Sequence, residues 1–265
     1  MAKDSPLGQA TDYPDTYAPE LLFPIARSDN RPADMPEFCG CDVWNAWELT
    51  WLGERGMPRA GVAEIRVPAE SANIVESKSL KLYLNSFSMS RFASRDEVRR
   101  RIAEDLSAAA GAEVGVRIDD ADVLETVALL PGESLDDIDI ACDRWEVDPG
   151  PLTSDSDDIV EESLHTHLLR SLCPVTAQPD TGSLLISYRG PRIEREGLLR
   201  YIVSFRRHTD FHEACVERIF KDLTERCGPE SLTVYARYQR RGGIDINPYR
   251  STEPGAPDNP RLWRQ

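Results

Sequence analysis

The fold is decided by the stretch ESKSLKLYLNSF at residues 76–87, which recurs as EREGLLRYIVSF at residues 194–205. The two stretches align at a constant offset, and the shared residues are Glu76 and Glu194, Leu80 and Leu198, Tyr83 and Tyr201, Ser86 and Ser204, and Phe87 and Phe205. Past a one-residue gap the next matches are Ile102 with Ile219, Asp105 with Asp222, Leu106 with Leu223, and Gly111 with Gly228. These matches predict an internal duplication.

Each copy predicts a hairpin, a helix and a further strand. Alternation of apolar and polar residues predicts strands at 61–68, 79–87 and 113–118, and again at 183–188, 197–205 and 231–238. Helical spacing of apolar residues predicts helices at 95–110, 159–172 and 211–227, and one more strand is predicted at 41–52. Each half is then a small antiparallel sheet with helices on one face, which is the α+β class. Association of such sheets into a barrel would close their edges.

The domain organisation follows from length and composition. A chain of 265 residues is long enough for two modules. The segment EVDPGPLTSDSDD at 146–158 has the Pro, Gly, Ser and Asp content of a linker. We therefore predict an N-terminal arm with a first module over residues 1–145, a linker over 146–158, and a second module over 159–265.

The chain is acidic, with a net charge of -15, which argues against direct binding of nucleic acid. A small anion stays compatible with this charge, because a local cluster such as Arg237, Arg240 and Arg241 can reverse the field in one cleft. No apolar run approaches the roughly 20 residues that span a bilayer, and the first residues lack the pattern of a signal peptide. We expect a cytoplasmic protein without membrane contact.

Cys173 is the candidate nucleophile among six cysteines, which a reducing compartment keeps as free thiols. It precedes a proline in a polar stretch that predicts a loop, and loops often carry functional groups. Asp180 lies seven residues further on, close enough to share a site as a proton donor. From these local features alone, a small buried apolar role for the cysteine stays open.

Three other motifs carry groups that suit ligand binding. They are Glu76-Ser77-Lys78 ahead of a predicted strand, His212-Glu213 at a predicted helix start, and a basic turn with two glycines at residues 240–248. Backbone amides and guanidinium groups in such a turn can hold phosphate. Taken singly, each motif also fits an ordinary solvent-exposed segment.

The sequence predicts no metal site. On a helix, His165 and His167 would point about 200° apart and would not chelate one ion. The pair Cys39-x-Cys41 also lacks the usual spacing of a structural zinc site.

Taken together and in order, the motifs resemble those of the NADPH-dependent 7-cyano-7-deazaguanine reductases, the nitrile reductases of queuosine biosynthesis, in their long two-module form. The resemblance runs from about residue 24 to residue 250. It rests on ESKSLKLY at 76–83, CPVT and QPD at 173–180, FHE at 211–213 and RGGIDINP at 241–248. It implies tandem tunnelling-fold (T-fold) modules, a fold shared with GTP cyclohydrolase I, and chemistry without that enzyme's zinc.

The resemblance also implies an activity, which is reduction of the nitrile of 7-cyano-7-deazaguanine to an aminomethyl group for tRNA modification. Two NADPH are consumed, a small deazapurine is the substrate, and a homodimer is expected. Cys173 would form a thioimide with the nitrile carbon, and Asp180 would protonate the nitrogen. The implied substrate-binding residues are Val75, Glu76, Ser77, His212 and Glu213. The implied cofactor-binding residues are Ser77, Lys78, Arg241 and Gly242.

Three alternative functions stay open at this point. A zinc-dependent enzyme like the cyclohydrolase would need metal ligands beside Cys173. A non-catalytic protein that binds modified purines would keep Glu213 but would not need the thiol. A hydrolytic thiol enzyme would share the thioimide and release an amide without NADPH.

Overall fold

A computed structural model of the protein describes residues 13–122 and 126–265. The chain divides into two compact units, each assembled from three stretches. The first unit comprises Met1–Asp29, Cys41–Thr126 and Arg240–Ile246. The second unit comprises Asn30–Gly40, Val127–Gln239 and Asn247–Gln265. Within the described ranges, no helix has the length and apolar character that a membrane span requires.

The first unit is an antiparallel sheet with two helices. Its elements, in chain order, are β1 (Pro24–Ala26), β2 (Cys39–Gly53, in this unit from Cys41), β3 (Pro58–Pro68), β4 (Asn73–Val75), α1 (Ser77–Asn85), β5 (Arg91–Phe92), α2 (Arg95–Ala110) and β6 (Gly115–Asp120). The strand order is β6-β3-β2. The short strand β5 pairs with β2 in parallel, and β1 pairs with β4 separately.

The second unit repeats this plan with longer strands. Its elements are β7 (Glu133–Ser134), β8 (Ser154–Leu172), β9 (Pro179–Ile193), α3 (Arg195–Ser204), α4 (His212–Cys227), β10 (Ser231–Tyr238) and β11 (Ile244–Ser251, in this unit from Asn247). The strand order is β11-β10-β9-β8-β7, and all pairs are antiparallel except β7 with β8.

The structure confirms the α+β class and the duplicated order of elements. The series β2-β3-α1-α2-β6 of the first unit corresponds to β8-β9-α3-α4-β10 of the second. Aligned residues also make the same bonds. The hydroxyl of Tyr83 donates to Asp105 at 2.6 Å, and that of Tyr201 donates to Asp222 at 2.8 Å. The predicted helices at 95–110 and 211–227 are confirmed as α2 and α4.

The strands predicted at 79–87 and 197–205 are wrong, because both segments are helices, α1 and α3. Their local alternation of apolar and polar residues resembles a strand. Each segment is preceded by a glutamate, Glu76 or Glu194, whose carboxylate caps two backbone N–H groups of the first turn. The buried residues Leu80, Tyr83 and Phe87 are spaced three and four residues apart, which places them on one face of a helix.

The helix predicted at 159–172 is also wrong, because the segment belongs to the long strand β8. Irregular pairing between Asp155 and Ile159 and between Thr166 and Leu169 interrupts the alternation that would identify a strand. Two inward positions, Thr166 and Ser171, are polar, which hides the pattern further. The last five residues of the predicted linker, 154–158, are likewise strand.

Each unit has its own apolar core. In the first unit the helices α1 and α2 cover one face of the sheet with aromatic and aliphatic side chains such as Tyr83, Phe87 and Ile102. In the second unit α3 and α4 do the same, with Tyr201 and Phe220 fully buried. Packing against this face of the sheet therefore fixes the position of each helix, including its first turn.

We predict that Tyr201→Phe lowers the free energy of unfolding by about 1–3 kcal/mol, because it leaves a buried carboxylate without one of its donors. Asp222 would keep only its bond from the Arg218 guanidinium at 2.9 Å. The measurement is urea unfolding followed by circular dichroism. Tyr13→Phe, at a tyrosine that is 70% exposed, serves as the control and should leave the midpoint unchanged. Equal midpoints for both variants would contradict the prediction.

Candidate active site

Cys173 sits at the tip of the β8–β9 hairpin. The last paired residues are Leu172 and Pro179, so Cys173 is the first residue beyond the ladder. Its backbone N–H donates to the carbonyl of Gln178 at 2.9 Å, and its carbonyl accepts from the N–H of Ala177 at 3.0 Å. These bonds close the turn and hold the cysteine in place. The predicted loop position is confirmed, although the loop follows a strand rather than a helix.

The first turn of α4 is tied to the same end of the hairpin. The N–H of Leu172 donates to the carbonyl of His208 at 2.8 Å, and the N–H of Asp210 donates to the carbonyl of Leu172 at 3.1 Å. The segment 208–210 therefore runs alongside the last residue of β8. The helix starts two residues later, so His212 and Glu213 are positioned near Cys173 by backbone bonds.

Asp180 and His212 form a close pair within this cluster. His212 Nε2 lies 3.7 Å from Asp180 Oδ2, and the His212 ring packs edge-on against Tyr238 with centroids 4.1 Å apart. Asp180 is cross-strand partner to Ser171, two residues before the cysteine. Cys173, Asp180 and Glu213 are each less than 10% exposed. Carboxylates this buried interact strongly with neighbouring charges and donors.

The two thiols of α4, Cys215 and Cys227, are poorly suited to nucleophilic chemistry. Cys215 is wholly buried, and burial raises the pKa of its thiol well above the usual value, with a smaller contribution from Asp210. Burial also raises the pKa of Cys227 to about 11. Both thiols are therefore protonated at neutral pH, and the thiolate is the reactive form.

Glu76 is the residue that starts α1. Its carboxylate accepts the N–H of Lys78 at 2.8 Å and the N–H of Ser79 at 3.0 Å, and it is 1% exposed. The preceding Val75 pairs with Pro24 in the β1–β4 ladder. Each carboxylate oxygen has two lone pairs, so the cap leaves acceptor capacity for further donors.

A cavity of about 270 Å³ in the first unit is lined by Lys78 and Gly242, two of the four residues predicted to bind the cofactor, whereas Ser77 and Arg241 are not among its lining residues. Lys78 and Lys81 line it from α1, and Gly242 and Gly243 line it from the turn between β10 and β11. The N–H of Arg241 donates to the carbonyl of Ile244 at 2.9 Å, which closes this turn. The φ angles of 60° and 77° at the two glycines are typical of a type I′ turn.

The cavity is lined by two basic side chains and one acidic side chain, Lys78, Lys81 and Glu48, together with the glycine turn. Its basic side chains offer charge, and a turn that exposes glycine backbone lets a phosphate approach closely. A Cβ added to Gly242 would lie 3.3 Å from Lys81 Cε, so the turn and the Lys81 side chain leave little room between them for a larger residue at position 242. Lys81 was not among the residues predicted to bind the cofactor, and its segment was predicted as a strand that begins after Lys78. On the helix they are three residues apart and share a face.

The predicted residues thus fall into two groups. The second unit contains the group Cys173, Asp180, His212 and Glu213. The first unit contains the group Val75, Glu76, Ser77, Lys78, Arg241 and Gly242. Arg237, predicted as part of a basic cluster, is instead a buried structural residue of the second unit. It donates to the Tyr235 hydroxyl at 2.7 Å and to Asn259 at 2.8 Å.

The geometric reason given against a metal was wrong. His165 and His167 lie on a strand, so both rings are on one side of it, with centroids 5.6 Å apart. Among the residues that the structure describes, no three or more His, Cys, Asp or Glu side chains are grouped to hold a metal ion.

The duplication shows what the first unit carries at the matching positions. Its hairpin ladder ends with Leu52 and Pro58, as that of the second unit ends with Leu172 and Pro179. Next to these ends, Gly53 corresponds to Cys173 and Arg59 corresponds to Asp180. At the start of the long helix that follows, Arg95 corresponds to His212 and Asp96 corresponds to Glu213. The hairpin end of the first unit therefore has no thiol at the position of Cys173 and no carboxyl group at the position of Asp180.

Comparison with known proteins identifies the class. A family model described as the N-terminal part of nitrile reductase, 7-cyano-7-deazaguanine reductase, matches residues 13–118, and a model of QueF-like proteins matches residues 179–256. The class is thus that of the nitrile reductases.

Curated relatives define the family more closely. Proteins named NADPH-dependent 7-cyano-7-deazaguanine reductase include one from Azoarcus sp. (strain BH72), 54% identical over 95% of this chain and 92% of its own length. Those from Chromobacterium violaceum and Dechloromonas aromatica are each 52% identical over 98% of this chain, and over 96% and 95% of their own lengths. The chain belongs to the family of NADPH-dependent 7-cyano-7-deazaguanine reductases.

Proposed function

We propose that the protein reduces the nitrile of 7-cyano-7-deazaguanine to an aminomethyl group with NADPH, as a step of queuosine biosynthesis. The relatives that carry this name match the chain over nearly its whole length. The observation that carries the proposal is the cluster of Cys173, Asp180 and His212 at the end of the β8–β9 hairpin. It combines a nucleophile with a proton donor, which is what activation of a nitrile requires.

The first chemical step is covalent, because a bare nitrile accepts hydride poorly. The Cys173 thiolate adds to the nitrile carbon, so a carbon–sulfur bond forms and one carbon–nitrogen π bond breaks. The nitrogen takes a proton from Asp180, which gives a neutral thioimide. A carboxyl group in this role must be protonated when substrate binds.

Two reductions complete the reaction, and bound NADPH supplies the hydride for each. In the first, the carbon–sulfur bond breaks and Cys173 leaves as a thiolate, so the product is an imine. In the second, the imine carbon takes a hydride and the nitrogen takes a proton, which gives the amine. The buried position of Cys173 keeps water from the thioimide and the imine, which would otherwise hydrolyse.

The remaining residues recognise the two ligands. A deazaguanine presents a ring N–H beside an amino group, and a carboxylate accepts both. We assign this recognition to Glu213 and Glu76, supported by His212 and by the backbone at Val75 and Ser77. For NADPH we assign Ser77, Lys78, Arg241 and Gly242, with Arg241 at the 2′-phosphate. The cavity around Lys78 and Gly242 supports this assignment.

We also propose the setting in which the enzyme works. Its six free cysteines suit the reducing cytoplasm. A homodimer would close open sheet edges, and the net charge of -15 disfavours direct contact with nucleic acid. The ligands are then small molecules, the deazapurine and NADPH.

The central test is turnover. We expect protein, 7-cyano-7-deazaguanine and NADPH to yield the amine with two NADPH oxidised per amine, followed by nicotinamide absorbance and mass spectrometry. Omission of NADPH should abolish product. Amide formed without NADPH would indicate a hydrolytic enzyme, and activity that follows bound zinc would indicate cyclohydrolase-like chemistry. Tight substrate binding without NADPH oxidation by folded protein would sink the proposal in favour of a binding protein.

The second test is the covalent adduct. Without NADPH, substrate should increase the protein mass by one whole substrate molecule, because addition to a nitrile expels no atoms. The increase should vanish in Cys173→Ala and persist in Cys142→Ala, which removes a partly exposed thiol of the same unit. Persistence of the adduct in Cys173→Ala would show that the nucleophile is another residue.

The same assay examines Asp180. We expect Asp180→Asn to slow adduct formation by about 100-fold or more, because the amide does not act as a general acid. Thermal unfolding of this variant checks that the fold is retained. A normal rate of adduct formation in folded Asp180→Asn would remove Asp180 from the mechanism.

The third test separates the capping role of Glu76 from substrate binding. Glu194 caps α3 as Glu76 caps α1, so both variants weaken a cap, and we expect about 0.5–1 kcal/mol of destabilisation for the exposed Glu194→Gln and about 1–2 kcal/mol for Glu76→Gln, because Glu76 is only 1% exposed. Only Glu76→Gln should raise the KM for the nitrile, by about 10-fold, because the amide lacks the paired acceptor. Equal KM values in the two variants would assign Glu76 to capping alone.

A further inference from the structure

The glycine turn, residues 240–245, is held in the first unit by one residue of β2, through both its backbone and its side chain. Trp47 donates its backbone N–H to the carbonyl of Gly243 at 2.9 Å. Its indole Nε1 donates to Asp245 Oδ2 at 2.6 Å. The guanidinium carbon of Arg240 lies 5.2 Å from the indole centroid, which is a cation–π distance. One tryptophan therefore contacts the beginning, middle and end of this turn.

The position of Trp47 in β2 permits these contacts. The pairing of β2 with β3 shifts register between Ala46 and Leu49, so Trp47 and Glu48 lie in a bulge. A bulge frees backbone groups from the ladder and redirects a side chain. Here it turns the N–H and the indole of Trp47 toward the glycine turn.

Asp245 fixes the plane of the indole. It is 1% exposed, and its second oxygen accepts from Asn45 Nδ2 at 2.7 Å. A buried carboxylate with donors on both oxygens is rigid, because loss of either bond would leave a desolvated charge. The indole is thereby held as a fixed platform under Arg240.

A guanidinium group that stacks on an aromatic ring keeps its N–H donors at the edge, where they can grip a phosphate. Arg240 is exposed and adjoins Arg241, and the next two residues of the turn, Gly242 and Gly243, line the cavity with Lys78, Lys81 and Glu48. A 2′-phosphate carries up to two negative charges, which suits more than one cation. Nothing else in NADPH distinguishes it from NADH.

We propose that Arg240 is a further cofactor-binding residue that shares the 2′-phosphate of NADPH with Arg241, and that Trp47 and Asp245 are positioning residues that hold it. The proposal rests on the proposed NADPH-dependent activity and names the residues that select this cofactor. Arg240 contributes to specificity, since its contact is absent with NADH. Trp47 acts only through the turn.

The test compares the KM for NADPH with the KM for NADH in four variants. Arg240→Gln should raise the KM for NADPH by about 10-fold and leave the KM for NADH, the KM for the nitrile and kcat unchanged. Trp47→Leu, which removes both platform and donor, should have a similar effect. Trp47→Phe keeps a ring under Arg240 and should raise the KM for NADPH less, by about three-fold.

Trp44→Phe is the matched control. It lies on the same strand, and its indole Nε1 has no hydrogen-bond partner among the described residues, so all kinetic values should be unchanged. An increase of both KM values together in Arg240→Gln would overturn the proposal, because a merely structural role would weaken both cofactors. Unchanged KM values in folded Trp47→Leu would remove the positioning role of Trp47.

A binding measurement makes the outcome independent of turnover. Calorimetry with 2′,5′-ADP, which carries the 2′-phosphate, should show binding about 10-fold weaker in Arg240→Gln than in the unmodified protein. Binding of 5′-AMP should be the same in both. Equal affinity of Arg240→Gln and unmodified protein for 2′,5′-ADP would overturn the proposal. Failure of nitrile reduction alongside selective 2′,5′-ADP binding would count against the proposed reaction alone.

Discussion

A hydrogen bond from a buried tyrosine to an aspartate ties together the two helices of each unit. Tyr83 bonds to Asp105, and Tyr201 bonds to Asp222. Burial, reinforced by the neighbouring carboxylate, raises the pKa of both tyrosines well above the usual value, so both stay donors at any physiological pH. In the second unit the bond holds α3 against α4, and the first turn of α4 carries His212. The position of His212 beside Asp180 therefore depends on how α4 packs.

The duplication gives two copies of one scaffold with different side chains at the corresponding hairpin ends. Both units use a hairpin that ends beside the first turn of a long helix, and both cap the preceding helix with a glutamate. At the hairpin end the second unit has Cys173 and Asp180, whereas the first has Gly53 and Arg59. The first unit instead uses its capped helix and the glycine turn to line a basic cavity. Backbone geometry was retained while the side chains at these ends diverged.

Part of the fold was predictable from residue types and spacing. The long helices α2 and α4, the duplication and the loop position of Cys173 all follow from local patterns. Lys81 did not, because assigning its segment to a strand separated it from Lys78. Trp47 was not identified either, since its bond to Asp245 joins residues far apart in the chain. No local signal marks such a contact.

The sequence by itself determined the α+β class, the repeated order of elements and the motif residues, because these depend on identity and spacing over a few turns. Only the tertiary structure decided that α1 and α3 are helices and that β8 is a strand. A short segment with mixed apolar spacing can form either a helix or a strand. In α1 and α3 the capping carboxylate and the buried face favour the helix, and in β8 the pairing with β9 favours the strand. The same long-range contacts decided the cluster at Cys173, because backbone bonds from Leu172 to the segment 208–210 bring α4 to the end of the hairpin.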